Sequence, residues 1–295
     1  MRLMTMKLAF ALLCSVVLCG CNGASTPTPT PTPTPVPTPP PTPTTVTVAV
    51  GAYPNSVAVN SVTNQIYVTN SNDFANSGSV TVIDGATNNS TTVAAGVLPD
   101  AVAVNPVTNQ IYVANSYLNG TNGGNVTVID GATNNTTTVA TGNNPVAVAV
   151  NSVTNQIYVA NLGSGSVTVI DGASNNTTTV AVGSGPRDVA VNSVTNQIYV
   201  TNDASHSVTV IDGATNNTTS VAVENSPTAV AVNSVTNQIY VPNGGSSSVT
   251  VIDGATNNTT TVAAGTTPGG VGVNPNTNRI YVANADSNNV TVITP

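Results

Sequence analysis

The sequence predicts an all-β protein, a β-propeller of six four-stranded antiparallel blades, on three observations. A segment of about 41 residues recurs six times. Each copy holds four short runs rich in Val, Ile and Thr, bounded by Asn, Asp, Gly or Pro, which is typical of strands joined by tight turns. The array also begins with one strand-like run and ends one run short. Four strands in every 40 to 45 residues or so indicate propeller blades.

The first residues resemble a bacterial lipoprotein signal. Arg2 and Lys7 are basic, residues 8–18 are apolar, and residues 18–21 (LCGC) resemble the lipoprotein box. The apolar run is too short to cross about 30 Å of hydrocarbon as a helix. The sequence therefore predicts a signal peptide over 1–20, and the resemblance implies a lipid on Cys21. Ordinary secretion with a nearby cleavage is the alternative.

A linker is predicted over residues 21–45. Its Thr-Pro run contains 10 of the 20 prolines of the chain, and proline disfavours both helix and sheet, so we expect an extended spacer. Acyl chains on Cys21 would bind a lipid bilayer. Asn22 is not the Asp associated with retention at the inner membrane, so the predicted location is the outer membrane or the cell surface.

The repeats are predicted to fill residues 46–295 and to close into a ring. The motif NSVTNQIYVTN of residues 60–70 recurs with small changes, and its tyrosine is the only large residue in every copy. Thr45–Val50 has the sequence of a fourth strand, which the sixth copy lacks. Pairing of this strand with the last blade would leave only short protected edges. A parallel β-helix is the alternative fold. The repeated tyrosines are Tyr67, Tyr112, Tyr158, Tyr199, Tyr240 and Tyr281.

The IYVTN and SVTVID motifs resemble the YVTN-type β-propeller repeat of exported and surface-layer bacterial and archaeal proteins. The resemblance covers residues 46–293. It implies a binding or surface scaffold and supplies no catalytic residue. Family members often close seven blades, so a seven-bladed ring is the family alternative to six.

Composition excludes several functions. Only 4 of 295 residues are Lys or Arg, 11 are Asp or Glu and 1 is His, for a formal net charge of −7. An acidic chain with so few lysines does not attract nucleic acid. The repeated DGATNN turns have one carboxylate each, too few for a cation that takes about 6 to 8 oxygens. We therefore predict turn capping by these aspartates, and neither a metal nor a cofactor.

The residues that differ between repeats predict a binding face. Two kinds of connection, from the second strand to the third and from the fourth to the next blade, open on one side of a propeller. Diverse loops on a rigid scaffold are typical of binding surfaces. We therefore predict a non-catalytic binding or adhesion scaffold for an unknown protein or glycan, with a structural envelope element as the alternative. The candidate binding residues are Tyr53, Asp73, Phe74, Asp100, Tyr117, Arg187, Asp188, Asp203, His206, Glu224 and Asp286.

An enzyme is the less favoured hypothesis. Related propellers include lactonases and a streptogramin lyase. His206 is the only histidine, and its serine neighbours are too close in sequence to form a triad with it. Carboxylates on adjacent blades, among them Asp188 and Glu224, could form a pair for acid–base chemistry. On balance, the sequence predicts no enzymatic activity.

Overall fold

The computed structural model describes residues 44–71, 77–116 and 123–295. The chain divides into two units, Met1–Val46 and Thr47–Pro295, and the second contains all the strands of the described residues. The predicted signal peptide, Cys21 and nearly all of the linker lie outside the described residues. In the part that is described, no helix is long and apolar enough to span a membrane.

The described structure is all-β. Val, Ile and Thr fill the strands because their branched side chains pack well on a pleated surface. The strands are β1 Pro54–Asn60, β2 Gln65–Asn70, β3 Gly78–Asp84, β4 Ser90–Ala95, β5 Pro99–Asn105, β6 Gln110–Asn115, β7 Asn125–Asp130, β8 Thr136–Ala140, β9 Pro145–Asn151, β10 Gln156–Asn161, β11 Ser166–Asp171, β12 Thr177–Ala181, β13 Pro186–Asn192, β14 Gln197–Asn202, β15 Ser207–Asp212, β16 Thr218–Ala222, β17 Ala231–Asn233, β18 Gln238–Asn243, β19 Ser248–Asp253, β20 Thr259–Ala263, β21 Pro268–Asn274, β22 Arg279–Asn284 and β23 Asn289–Ile293.

Consecutive strands pair antiparallel to form five four-stranded sheets and one three-stranded sheet, which we number 1 to 6 along the chain. The first strand of each sheet packs beside the first strand of the next, in the order β1, β5, β9, β13, β17 and β21. This arrangement confirms the predicted β-propeller class. The inner strands are therefore those that lie nearest the middle of the array.

Every pair of neighbouring sheets buries the same two surfaces. One sheet contributes its tyrosine and the valines beside it, and we call this its Tyr face. The next sheet contributes two isoleucines and nearby valines, its Ile face. Between sheets 3 and 4, for example, Tyr158 and Val169 pack against Ile198, Val200 and Ile211. Each buried methylene stabilises the fold by about 0.8 kcal/mol.

Side-chain amides also join neighbouring sheets. In sheets 1 to 5, the asparagine that ends the inner strand donates from Nδ2 to the Oδ1 of an asparagine in the next sheet, as Asn151 does to Asn196 at 2.8 Å. Its own Oδ1 accepts the backbone N–H of Val153 at 3.1 Å and so holds the following turn. The same contact recurs from Asn60, Asn105, Asn192 and Asn233.

The predicted closing strand is not formed. Residues 44–53 contain no strand, and sheet 6 consists of β21, β22 and β23 among the described residues. Both ends of the array are uncovered. On the Ile face of sheet 1, Val57 and Val59 are 64% and 59% exposed, and on the Tyr face of sheet 6, Tyr281 is 40% exposed. Without a neighbouring sheet to bury these faces, nothing in the described residues brings the two ends together, so the prediction of a sixth blade completed by Thr45–Val50 is corrected.

Candidate functional site

The antiparallel topology gives the propeller two different faces. Connections within a sheet from its first to its second strand, and from its third to its fourth, lie on one side, which we call the turn face. Connections from the second strand to the third, and from the fourth strand to the next sheet, lie on the other side, the loop face. The predicted division into a repetitive face and a variable face follows from this strand order.

The turn face is structural. In sheet 3, Oδ1 of Asp171 accepts the backbone N–H groups of Ala173 and Ser174 and the hydroxyl of Ser174, at 2.9 to 3.0 Å. Backbone and hydroxyl donors stabilise the charged carboxylate and lower the pKa of Asp171. The same arrangement recurs at Asp84, Asp130, Asp212 and Asp253. Turn capping by these aspartates is confirmed.

The candidate residues on the loop face do not form one cluster. Asp73, Phe74 and Tyr117 lie outside the described residues. Tyr53 is exposed, with a positive φ of 52°, in the connection before β1. Asp100, at the start of β5, accepts a 2.9 Å hydrogen bond from Asn55 of sheet 1.

A second group lies in sheet 4 and the connection that follows it, and holds the largest share of the described candidates. It comprises Arg187, Asp188, Asp203, His206 and Glu224. Asp286 lies apart, in sheet 6, where it accepts a 2.5 Å hydrogen bond from the hydroxyl of Thr267. We therefore take the sector of sheets 4 and 5 as the candidate site.

Asp188 links the inner strands of sheets 4 and 5. Its Oδ1 accepts the N–H of Val189 and its Oδ2 accepts the N–H of Val230, both at 2.9 Å. Val189 and Val230 occupy equivalent positions in their repeats. The carboxylate of Asp188 therefore accepts the equivalent backbone N–H group from each of two successive blades. Because inner strands pair with a neighbour on one side only, these donors are available to a side chain rather than to a strand.

Burial dominates the electrostatics of Asp188. Its carboxyl group is mostly withdrawn from solvent, which penalises the charged form and raises its pKa above the usual value for aspartate. The N–H groups of Val230 and Val189 oppose this shift without cancelling it. Asp188 thus has the raised pKa that burial gives to carboxylic acids used in catalysis, whereas the repeated aspartates of the turn face have lowered values.

Arg187, next to Asp188 in the chain, and His206, in the connection between β14 and β15, both lie at the surface. Nη1 of Arg187 is 3.4 Å from Oδ2 of Asp203, an exposed ion pair of small energetic value. His206 adopts a positive φ of 49°, and its Nδ1 accepts the N–H of Ser226 at 3.2 Å. That hydrogen bond joins the connection between β14 and β15 of sheet 4 to the segment that leads from β16 into sheet 5. It also leaves Nε2 of His206 as the ring nitrogen without a protein contact among the described residues.

Sheet 5 departs from the repeat beside this carboxylate. Its inner strand β17 begins only at Ala231, whereas the inner strands of the other sheets begin at the proline of the repeat. Pro242 in β18 has no N–H to donate to that part of the neighbouring strand. The hydroxyl of Thr228 lies within hydrogen-bond distance of three carbonyl oxygens, those of Pro242, Pro268 and Gly269, at 3.3, 3.2 and 3.1 Å, and donates its one hydrogen among them.

Glu224 adds to this departure, because it stands where the other repeats have glycine. At the equivalent Gly183, an added Cβ would lie 2.8 Å from the Cβ of Asn202.

The sequence analysis identified Glu224 as a candidate but missed Thr228, Asn55 and the N–H of Val230. Comparison of the residues just after the repeated proline would have found Asn55 and Thr228. The donor N–H of Val230 follows only from three-dimensional packing.

No metal site accompanies these residues in the described ranges. No three His, Cys, Asp or Glu side chains of residues 44–71, 77–116 and 123–295 come close enough to hold a metal ion. Two open clefts, of about 300 and about 270 Å³, lie between the outer strands and are lined by Thr219, Ser220 and Asn257 in one case and by Thr209 and Thr218 in the other. They contain no acid–base group.

Comparisons with known proteins support the fold and change the functional prediction. Residues 172–294 match the family model described as "Lactonase, 7-bladed beta-propeller". This range covers sheets 4 to 6 and includes Arg187, Asp188, Asp203, His206 and Glu224. No curated protein matches the sequence significantly.

Solved structures share the fold at low identity. Kuenenia stuttgartiensis hydrazine synthase is 21% identical, with a TM-score of 0.66 over 82% of this chain and 83% of that one. A putative 6-phosphogluconolactonase from Bacteroides uniformis is 16% identical, with a TM-score of 0.63 over 83% and 82%. A functionally unknown protein from Desulfotomaculum acetoxidans is 15% identical, with a TM-score of 0.64 over 84% of each chain.

These findings correct the prediction of a non-catalytic adhesion or structural scaffold. The match to a lactonase-type family points to an enzyme, and nothing in the comparisons indicates adhesion. The sequence argument against an enzyme relied on a lone histidine and scattered acids. It could not anticipate that one of those acids, Asp188, is half-buried and accepts backbone N–H groups from two blades.

Proposed function

We propose that the protein is a hydrolase of lactones whose site lies on the loop face of sheets 4 and 5. One observation carries the proposal: the residues that match the lactonase-type family include Asp188, a half-buried acid that accepts N–H groups from two successive blades and whose pKa burial raises. A carboxylate with a raised pKa is a stronger base than an ordinary one, and hydrolysis of a cyclic ester needs such a base.

Asp188 is the general base of this proposal. Its carboxylate takes a proton from a water molecule as the water oxygen attacks the lactone carbonyl carbon. The ring C–O bond then breaks, and the proton passes to the departing alkoxide, so that lactone and water give a hydroxy acid. The N–H groups of Val189 and Val230 hold the carboxylate in one orientation throughout. Positioned acid–base groups typically contribute about 10² to 10⁴ in rate.

The charge of the site favours an uncharged lactone over a phosphorylated one. Arg187 is the one Lys or Arg side chain of sheets 4 and 5 in the described ranges, and Asp203 already neutralises it. Asp188, Asp203 and Glu224 leave the sector acidic. A phosphate group would meet repulsion there, since favourable phosphate sites use arginine, lysine or helix N-termini.

Turnover by the purified chain tests this proposal. We expect the protein to release acid from neutral five- and six-membered lactones in a pH-stat, and Asp188→Asn to lower kcat by roughly 10² or more. Asp212→Asn is the matched control, because Asp212 caps a turn of the same sheet on the opposite face. No turnover by the wild-type chain, or equal turnover by the Asp188→Asn variant, would refute the proposed site.

We further propose that the repeats are of the YVTN type and that the enzyme is exported and lipid-anchored through Cys21. The motifs of the repeats and the LCGC segment before the Thr-Pro linker support this. An acyl-modified N-terminal peptide in mass spectra of the membrane fraction is expected, together with release of the Cys21→Ser variant into the soluble fraction. An unmodified Cys21 peptide would contradict it.

A further inference from the structure

The edge of sheet 6 lacks the partner that every other sheet has. In sheets 1 to 5 the third strand lies between the second and the fourth, and its valines are largely buried. In sheet 6 the third strand, β23, pairs with β22 alone among the described residues. Val290 and Val292 of β23 lie on the uncovered Tyr face together with Tyr281 and are 56% and 50% exposed. An exposed apolar edge of this kind is a template for another strand.

The chain also contains a strand sequence without a sheet. Residues 47–50 (TVAV) match the end of the fourth strand of the other repeats, such as residues 179–182 (TVAV), yet no strand is formed there. The next residue, Gly51, is placed as in a complete propeller. Its N–H donates to the hydroxyl of Thr81 at 3.4 Å, as Gly183 does to Thr209 at 3.3 Å.

The two unpaired elements do not meet within one chain. The uncovered valines of sheet 1 and the uncovered tyrosine of sheet 6 show that these sheets do not pack on each other. The hydrogen bonds between asparagines of neighbouring sheets are also missing at these two ends. Asn274 of sheet 6 corresponds to Asn151, but its Nδ2 donates to no other sheet among the described residues. Asn64 of sheet 1 corresponds to Asn196, but its Oδ1 accepts no hydrogen bond from an asparagine of another sheet there. Among the described residues, then, no segment of the same chain pairs with the free edge of β23, and a second molecule can supply a strand there.

We propose that residues 47–50 of one copy pair with β23 of a second copy as the missing fourth strand of its sheet 6. The register follows from sheet 3, in which Val167 is opposite Val180 and Thr168 is opposite Thr179. By the repeat alignment, Val48 lies opposite Val290 and Thr47 opposite Thr291. Exchange of an identical element between two chains is a low-cost route to a dimer, and reciprocal exchange closes it. Backbone hydrogen bonds provide the affinity, as in other strand additions.

Disulfide trapping between separate chains tests the exchange. The full chain is first freed of native thiols by changing Cys14, Cys19 and Cys21 to serine. Val48→Cys and Val290→Cys are then made in separate chains, which are mixed and oxidised. Cα atoms directly opposite in antiparallel strands are about 4.5 to 5.5 Å apart, within the range that a disulfide spans. We expect a mixed disulfide dimer of these two variants.

Two controls make the outcome decisive. Val153→Cys replaces Val48→Cys in a matched mixture, because Val153 is exposed on the turn face, and its dimer yield should be several-fold lower. A chain with both Val167→Cys and Val180→Cys should form its disulfide internally. A mixture that yields no excess over the Val153→Cys control overturns the proposal. So does an internal disulfide in a chain carrying both Val48→Cys and Val290→Cys, which would mean that the propeller closes on itself.

Discussion

Replacing the repeated tyrosine in two sheets tests whether its contribution to stability depends on its burial, because the two positions are equivalent in the repeat but differ in exposure. Tyr158 of sheet 3 is completely buried among Val167, Val169 and Ile198, whereas Tyr281 of sheet 6 is 40% exposed. The hydroxyl of Tyr158 has no hydrogen-bond partner among the described residues, so Tyr158→Phe removes no hydrogen bond. Burial of the same group raises the pKa of Tyr158 to about 12.

We expect Tyr158→Ala to lower the free energy of unfolding by about 3 to 5 kcal/mol, the usual cost of removing a buried aromatic ring. Tyr281→Ala should cost less than half as much, because part of that ring is already in water. Tyr158→Phe should be nearly neutral. Urea unfolding followed by circular dichroism measures all three, and the midpoint should shift without a change in slope.

Equal losses for Tyr158→Ala and Tyr281→Ala would refute this reasoning. They would mean that the Tyr face of sheet 6 is covered in solution, as it is in the interior of the array. The description of sheets 1 and 6 as uncovered ends would then be wrong.

Three further predictions concern turns, close contacts and acid stability. Gly183→Ala should destabilise the fold by about 1 to 3 kcal/mol, because its Cβ would lie 2.8 Å from the Cβ of Asn202, whereas Gly269→Ala should be tolerated, since it faces open space; thermal unfolding compares them. Asn151→Ala should cost about 0.5 to 1.5 kcal/mol more than Asn274→Ala, which makes no bond to a neighbouring sheet among the described residues; urea unfolding of both measures the difference. The pKa values of Asp84, Asp130, Asp171, Asp212 and Asp253 are lowered by folding, so their stabilisation is present above the unfolded value of about 3.9 and is lost as pH falls through the folded values; unfolding scans between neutral and acid pH should show it, and Asp171→Asn should weaken the dependence.

Much of the fold could be predicted from the sequence because the same pattern of strands and turns occurs in six copies. The four strands predicted for each copy are all formed in sheets 1 to 5, and three of them are formed in sheet 6 among the described residues. The turn signals Asn-Ser-Val-Thr-Asn and Asp-Gly are local, since Asp and Asn bond to their own backbone. Six copies of one signal leave little room for error.

Closure of the ring could not be predicted in the same way. Pairing of Thr45–Val50 with β23 depends on the angle between successive blades, and no residue pattern specifies that angle. The composition of both segments is right for a strand pair, but composition says nothing about whether the two are in the same place.

The candidate site was predicted in part. Asp188, Arg187 and Glu224 were predicted to lie on the loop face because they are charged residues that differ between repeats. The strand order of the structure puts them on that face. The contact of Asp188 with the N–H of Val230, on the next blade, is a different matter, because it depends on how two successive blades pack. A lone acid in a sequence gives no sign of such a partner, so the sequence alone did not favour an enzyme, whereas the match of residues 172–294 to the lactonase-type family model points toward one.

The pH dependence of lactone hydrolysis tests the central claim most directly. In the deprotonated state Asp188 is the base, so kcat/KM of the wild-type chain should rise with pH through a single ionisation above the ordinary aspartate value of about 3.9. Burial supplies that upward shift. We expect the ionisation to disappear from the small residual rate of Asp188→Asn and to persist in Asp212→Asn. A profile that is the same in the wild-type chain and in Asp188→Asn would contradict the account.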